Sequence, residues 1–244
     1  MNRQTTLQLP QTAQQGLNAN QLKLIAVVAM VIDHCTIVFV PDDFWTVWIL
    51  RMIGRMTAPI MCYFVAQGYY HTRSLPRYMG RLLLVGLAAN IPHNLCFGYS
   101  LWRFWQATDV MFALLFGLVA LAVWKSERFA LWQKALAVCG CCMLAYSSDW
   151  NYIAVLWVLG MGVFYQDKQG QLRAFLLVAA VYLLQPFIYG TTLHYASRFG
   201  VFFAFLLLCR YNGQRGSKSR LVQWGFYWFY PLHLLLLWWL GSVL

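Results

Sequence analysis

The sequence predicts an all-α fold: a polytopic transmembrane helix bundle of about nine spanning helices with its N-terminus in the cytoplasm. Three observations predict it. The 244 residues are 61% hydrophobic and only 10% charged, with a mean hydropathy of +0.56, whereas a soluble domain is about 25% charged. Apolar stretches of spanning length recur from Leu22 to Leu244, and in lipid each has to be a helix because its backbone polar groups can be satisfied only internally. The basic residues, finally, sort to one side of those stretches.

Polar breaks divide the chain into spans at 21–40, 44–70, 80–98, 108–124, 134–148, 150–166, 174–190, 196–210 and 221–242. Residues 1–20, MNRQTTLQLPQTAQQGLNAN, are rich in Gln and Asn and lack a short apolar core followed by a small-residue cleavage site. They read as a mobile cytoplasmic leader rather than a signal peptide. Residues 21–244 form a single integral membrane domain with no internal repeat. Pro41 and the acidic pair Asp42 and Asp43 end the first span, and the basic stretch HTRSLPRYMGR separates the second from the third. The eighth span gives way to NGQRGSKSR, and the ninth runs almost to the end of the chain.

With the N-terminus inside, the inner segments hold Arg3, Lys23, Arg73, Arg77, Arg81, Lys125, Arg128, Lys134, Lys168, Arg173, Arg210, Arg215, Lys218 and Arg220. The opposite face has Arg103 and Arg198, and carries Asp42, Asp43, Asp109 and Asp149 at its loop ends. Positive loops remain in the cytoplasm, which orients a multi-pass membrane protein with its N-terminus inside. The same rule explains the net charge of +11 as attraction to anionic lipid, so nucleic acid is not an expected partner. A sharper reading gives some inner cations, Arg73, Arg77 and Arg81 foremost, the phosphates of a cytosolic cofactor to hold.

The seven cysteines fall within spans, where a thiol is a small packing residue, and CGCC at 139–142 lacks the spaced partners of a structural zinc site. Neither a disulfide nor a metal is expected. Trp45, Trp48, Trp102, Trp105, Trp124 and Trp150 stand near span ends and read as interface anchors rather than ligand contacts.

Ionisable groups inside the membrane cost several kcal/mol and mark functional sites by default. Six stand out: Asp33 and His34 in the first span, Arg51 and Arg55 in the second, His93 in the third and His233 in the ninth. Counting ~1.5 Å per residue along each helix puts all six at a similar depth in the outer half of the bilayer. Pro59, Pro92 and Pro231 lie beside them, and a proline frees a carbonyl and bends its helix. An imidazole with a pKa near neutral takes a proton from an attacking amine or hydroxyl, and an arginine stabilises a carboxylate or an oxyanion. Asp33 and His34 point ~100° apart on a helix, so Asp33 is free to pair with Arg51 or Arg55 instead of with its neighbour. An Asp–Arg ion pair without a chemical role is an equal reading for the two arginines.

The stretches QLKLIAVVAMVIDHCTIVF, LRMIGRMTAPIMCYFVAQGYYHTRS, RLLLVGLAANIPHNLCFG and FYWFYPLHLLLL, in that order, resemble the TraX family, polytopic membrane proteins named for the acetylase of F-type conjugative pilin. The resemblance covers nearly the whole chain from Leu22. It implies a membrane-embedded acetyltransferase with acetyl-CoA as donor and the N-terminal amino group of a pilin subunit as acceptor. Asp33 and His34 fall on the family's Asp-His pair, Arg51, Gly54, Arg55 and Pro59 on its arginine motif, and Tyr230, Pro231 and His233 on its last-span motif. The chain departs from the family at Ile91, Pro92, His93 and Asn94, where many relatives read Ile-Pro-Phe-Asp, and at Asp109, where they often have Asn. The roles this implies are His34 as general base, Asp33 as the group that tunes it, Arg51 or Arg55 as oxyanion stabiliser and His233 as second acid or base, with His93 and Tyr230 as possible additions. The partners implied are pilin or another envelope acceptor, and membrane lipid. Three alternatives stay open at this point: an O-acetyltransferase acting on a cell-envelope glycan, a proton-coupled transporter using the same Asp and His as a relay, and a non-catalytic assembly factor that binds pilin in the membrane.

Overall fold

A computed structural model describes residues 16–41, 44–103, 107–190, 195–217 and 219–243. Ten α-helices account for the expected spans. They are α1 (Ala19–Phe39), α2 (Phe44–Gly54), α3 (Thr57–His71), α4 (Leu75–Cys96), α5 (Val110–Lys125), α6 (Leu131–Leu144), α7 (Asn151–Val163), α8 (Lys168–Tyr189), α9 (Val201–Cys209) and α10 (Arg220–Val243). Two short 3-10 helices, Leu101–Arg103 and Tyr195–Gly200, lie in the connections. The described chain is an all-α membrane bundle without named strands, as the sequence predicts. Arg3, Asp42, Asp43, Trp105 and Lys218 fall outside the described residues, as do 1–15 of the leader.

The second span differs from expectation in being two helices. Pro59 has no N–H to give the Arg55 carbonyl, and the chain opens into a turn at Arg55 and Met56 before α3 begins. The third span starts earlier than position 80, because Pro76 sits in the first turn of α4, where its fixed φ suits a helix start. Pro92 and Pro231 are accommodated inside continuous helices. The fifth and sixth spans are shorter than drawn, because residues 145–150 and 164–166 form turns. Gly190, in the left-handed region at φ 68°, ends α8 as only a residue without a Cβ does readily.

The core lies between α5 and α7, where Leu114, Leu118, Leu121, Ile153, Trp157 and Val158 are buried. Small residues let these helices approach: a Cβ on Gly117 would stand 2.8 Å from Val158 Cβ, the contact by which spanning helices associate in the absence of a hydrophobic drive. Leu24, Leu87, Leu177, Ile188 and Leu206 point outward and are exposed, as expected where lipid is the solvent. Among the described residues, Ala19–Phe39, Trp45–His71 and Lys168–Ile188 are long and apolar enough to cross a membrane, and four shorter apolar helices accompany them. One end of the bundle gathers the basic connections around residues 72–74, 126–130, 164–167 and 210–217. The other gathers the segments around 40–41, 97–103, 107–109, 145–150 and 195–200.

Candidate active site

His34 is buried on α1, and its Nδ1 lies 2.8 Å from Nε2 of His233 on α10, with the two rings parallel to within 6°. His233 Nδ1 in turn lies 3.0 Å from the carbonyl of Phe229, one helical turn back. A carbonyl only accepts, so that nitrogen carries the proton and donates. In a neutral imidazole the other nitrogen is then an acceptor, and His34 Nδ1–H donates to it. The hydrogen-bond chain therefore fixes both tautomers and leaves His34 Nε2 with its lone pair free.

Asp33 turns away from this pair. Its Oδ1 is 3.9 Å from Arg51 Nη1, a loose ion pair, and its side chain packs against Gly54 of α2. Arg55, at the break after α2, keeps its backbone bond to Arg51 at 3.0 Å, so the two arginines stay on one face, and its guanidinium lies 5.3 Å from the Trp150 ring. His93 is buried on α4, with Nε2 3.3 Å from Asp149 Oδ2 and Nδ1 3.2 Å from Asn94 Oδ1. Phe97 packs edge-on against both His34 and His93, and Tyr230, also buried, leans on His233. Of the six groups, His34 thus meets His233 and Asp33 meets Arg51, Phe97 joins His34 to His93, and Asp149 and Trp150 before α7 meet His93 and Arg55.

Asp149 and Trp150 were not singled out in the sequence as site residues. Asp149 looked like an outer loop charge and Trp150 like an interface anchor. Both line a cavity of about 180 Å³ together with Asp33 and His34, and Trp150 stacks on Tyr182 instead of facing lipid. Their loop is held inward by the Asp149 N–H bond to the Thr108 carbonyl and by a 2.7 Å hydroxyl pair between Thr108 and Ser148. Trp150 and Asn151 take positive φ, 64° and 37°, a conformation that non-glycine residues adopt only where their surroundings impose it.

Burial by itself raises the Asp149 carboxyl, but His93, His34 and Arg55 around it outweigh that and hold it below the ordinary carboxylate range. Its side chain lines the cavity and is 46% accessible, so solvent screens part of this effect. A depressed carboxyl stabilises the fold above its unfolded value of ~4 and loses that contribution as pH falls through the folded value. At pH 7 the wild type is therefore expected to melt above Asp149→Asn, and the gap should narrow as the pH is lowered through the carboxylate range. A gap independent of pH would show that the ion pair does not supply it.

From His34 and Asp33 the cavity continues past Met30, Met61 and Leu82 to Lys23 and Arg215 at the basic end of the bundle. Of the inner cations expected to hold phosphate, Arg73 and Arg77 are exposed and absent from this lining, while Arg81 lies 5.6 Å over the ring of Tyr78, which does line it. Among the described residues no group of three or more His, Cys, Asp or Glu is arranged to hold a metal.

The class these features define is an all-α integral membrane protein with a buried histidine pair, one member of which, His34, lines a cavity inside its bundle. Residues 18–241 match the family model described as TraX protein, and the chain belongs to that family. It is similar to a protein described as "Probable fimbrial assembly protein FimC, serogroup H1" of Dichelobacter nodosus, with 31% identity over 231 residues, 90% of this chain and 94% of the relative. A second relative, an uncharacterized protein of Rickettsia prowazekii (strain Madrid E), is 20% identical over 162 residues, 65% of this chain and 60% of its own length. No solved structure matches the chain.

Proposed function

We propose that this protein is a transmembrane N-acetyltransferase that moves an acetyl group from cytosolic acetyl-CoA to the N-terminal amino group of a pilin subunit in the bacterial inner membrane. The observation that carries the reading is the free lone pair on His34 Nε2, buried at the end of a cavity that reaches the basic face of the bundle. A group in that position is a general base sheltered from water, with a donor entrance on the side where acetyl-CoA is found. The fimbrial assembly role in the name of the Dichelobacter relative favours pilin over a glycan as acceptor.

In the proposed reaction the acceptor amine attacks the thioester carbonyl and its proton passes to His34 Nε2. The C–S bond breaks as the amide C–N bond forms, and the coenzyme leaves as a thiolate that takes up that proton. His233 orients His34 and, through its Nδ1–H on the Phe229 carbonyl, keeps the tautomer that leaves Nε2 free. Asp33 holds Arg51, which with Arg55 supplies positive charge for the developing oxyanion. Arg81 stands beside the cavity over Tyr78, and Arg73 and Arg77, outside its lining, add to the positive potential that draws the donor's phosphates to this face.

The reading is tested with purified protein, acetyl-labelled acetyl-CoA and a processed pilin as acceptor, locating the label by fragmentation. Label on the N-terminal residue supports the assignment, whereas label on a glycan from the same envelope, with none on pilin, overturns it. His233→Ala is expected to lower kcat by about 10²-fold, because the base loses the partner that sets its tautomer. An unchanged kcat would remove His233 from the mechanism.

A further inference from the structure

We propose that Lys23 and Arg215 form the binding site for a phosphate-bearing head group at the basic mouth of the cavity, anchoring the donor there while its arm reaches His34. The identity of the donor rests on the acetyl-transfer reading; the anion site does not. Lys23 stands half-buried on α1 with its ammonium 5.1 Å from the Phe64 ring. Arg215, an exposed residue, comes from the loop before α10. Both line the cavity, and among the described residues neither has a carboxylate partner. Two like charges held together at a cavity mouth without a counter-charge are unfavourable unless an anion joins them.

The pair is built, not incidental. The Leu17 N–H bonds to the Arg210 carbonyl at 2.8 Å, Asn212 N–H to the Leu17 carbonyl at 3.0 Å and Ala19 N–H to the Gln214 carbonyl at 2.8 Å. Asn20 Nδ2 donates to the Ser217 carbonyl at 2.9 Å. These bonds strap the loop across the start of α1, and Arg215 lies between its anchored residues Gln214 and Ser217. Gly216, at φ 81°, makes the approach possible, since a Cβ there would stand 2.8 Å from Asn18 Oδ1 and strain the backbone as well. Leu17 and Asn18, just before α1, thus hold the loop that carries Arg215.

From Lys23 to His34 is eleven residues of one helix, ~16 Å at ~1.5 Å per residue. Between them the wall is apolar, with Ala26, Met30, Met61 and Leu82. A ligand suited to this shape has a phosphorylated head, a long thin arm and its reactive group at the far end. A small acyl phosphate would put its anion and its acyl carbon within a few atoms of each other and could not reach both ends. Phosphate at the mouth can come from such a donor or from a lipid headgroup.

The experiment uses full-length protein in nanodiscs of zwitterionic lipid, with and without phosphatidylglycerol. Binding of coenzyme A and of adenosine 3′,5′-bisphosphate is measured by calorimetry for wild type, Lys23→Gln, Arg215→Gln and the double variant. The double variant is expected to bind both ligands about tenfold or more weakly, as removal of charge-assisted contacts does. It should raise KM for acetyl-CoA by a similar factor, with KM for phosphate-free S-acetylpantetheine unchanged. Arg128→Gln, which removes an exposed inner cation away from the cavity, should change neither. Equal bisphosphate binding by wild type and both single variants overturns the site. Binding that disappears when phosphatidylglycerol is added assigns the mouth to lipid and overturns the donor anchor. Should pilin acetylation fail altogether while coenzyme A binding still depends on Lys23 and Arg215, the anion site stands and the transfer reading falls.

Discussion

Replacing His34 with alanine is expected to lower acetyl transfer to pilin by about 10²- to 10⁴-fold, the range over which a positioned general base acts. His34 Nε2 is the one imidazole nitrogen of the His34–His233 pair with its lone pair uncommitted, since both nitrogens of His233 are engaged. The variant removes this base and leaves His233 Nε2 buried without a donor, at a cost of about 1–3 kcal/mol, so the amount of folded protein in the membrane has to be measured alongside. His34→Gln retains a donor for His233 and no base; it should recover the melting temperature but not the activity. The direct readout is the N-terminal mass of pilin from cells carrying wild type, either variant or no copy. Free N-termini in both variants, with normal amounts of pilin and enzyme, are the expected result. Equal acetylation in all four strains would show that the protein does not perform the transfer, and a relay for transport would become the better use of the pair.

The helices were legible because their cause is local. A run such as AVVAMVI in α1 or LLLLWWL in α10 has one stable state in lipid, and the basic residues between runs give it a direction. The breaks were less legible. Pro59 marked the second span, but the opening fell one turn earlier, at Arg55, because a proline withdraws the hydrogen bond from the carbonyl four residues before it. Pro92 and Pro231 carry the same chemistry, yet leave α4 and α10 continuous; neighbouring packing, which no local window contains, decides between the outcomes.

The candidate site divides the same way. Depth can be counted along a helix, so Asp33, His34, Arg51, Arg55, His93 and His233 could be put on one level before any lateral contact was known. Which of them touch depends on helix rotation. The adjacency of Asp33 and His34 in sequence suggested a couple, whereas their angular offset sends Asp33 to Arg51 and His34 to His233. Asp149 and Trp150 escaped because a loop carboxylate and a span-end tryptophan each have a common explanation at the interface. Their inward placement depends on the Thr108–Ser148 contact between two distant loops, and the one local trace of it, positive φ at Trp150 and Asn151, is a property of conformation and not of residue type.

Gly54→Ala is expected to reduce activity by at least about tenfold while lowering stability by about 1–3 kcal/mol, the usual range for overpacking a tight contact. Gly54 is the last residue of α2, and an added Cβ would lie 2.5 Å from Asp33 Cγ and 2.6 Å from Oδ1, and nearer still to Asp33 Cβ. Real Cβ atoms do not tolerate such distances, and because Asp33 Cβ is fixed to the α1 backbone, a rotamer change cannot relieve them. The two helices therefore have to separate. That shift would pull Asp33 from an ion pair already at 3.9 Å and move His34, the next residue on α1, relative to His233 on α10. A displacement near 1 Å in a reacting constellation costs about 10²-fold, so most of the loss should fall on kcat. Gly80→Ala and Gly140→Ala supply the control: each glycine lies within a helix with nothing within 4 Å of the added atom, and there the reduced backbone entropy should stabilise by about 0.5–1 kcal/mol. If Gly54→Ala behaves like these two, α1 and α2 do not approach closely enough to set the position of His34. If it alone loses activity, the glycine is what lets an aspartate and an arginine from adjacent spans meet beside the histidine pair.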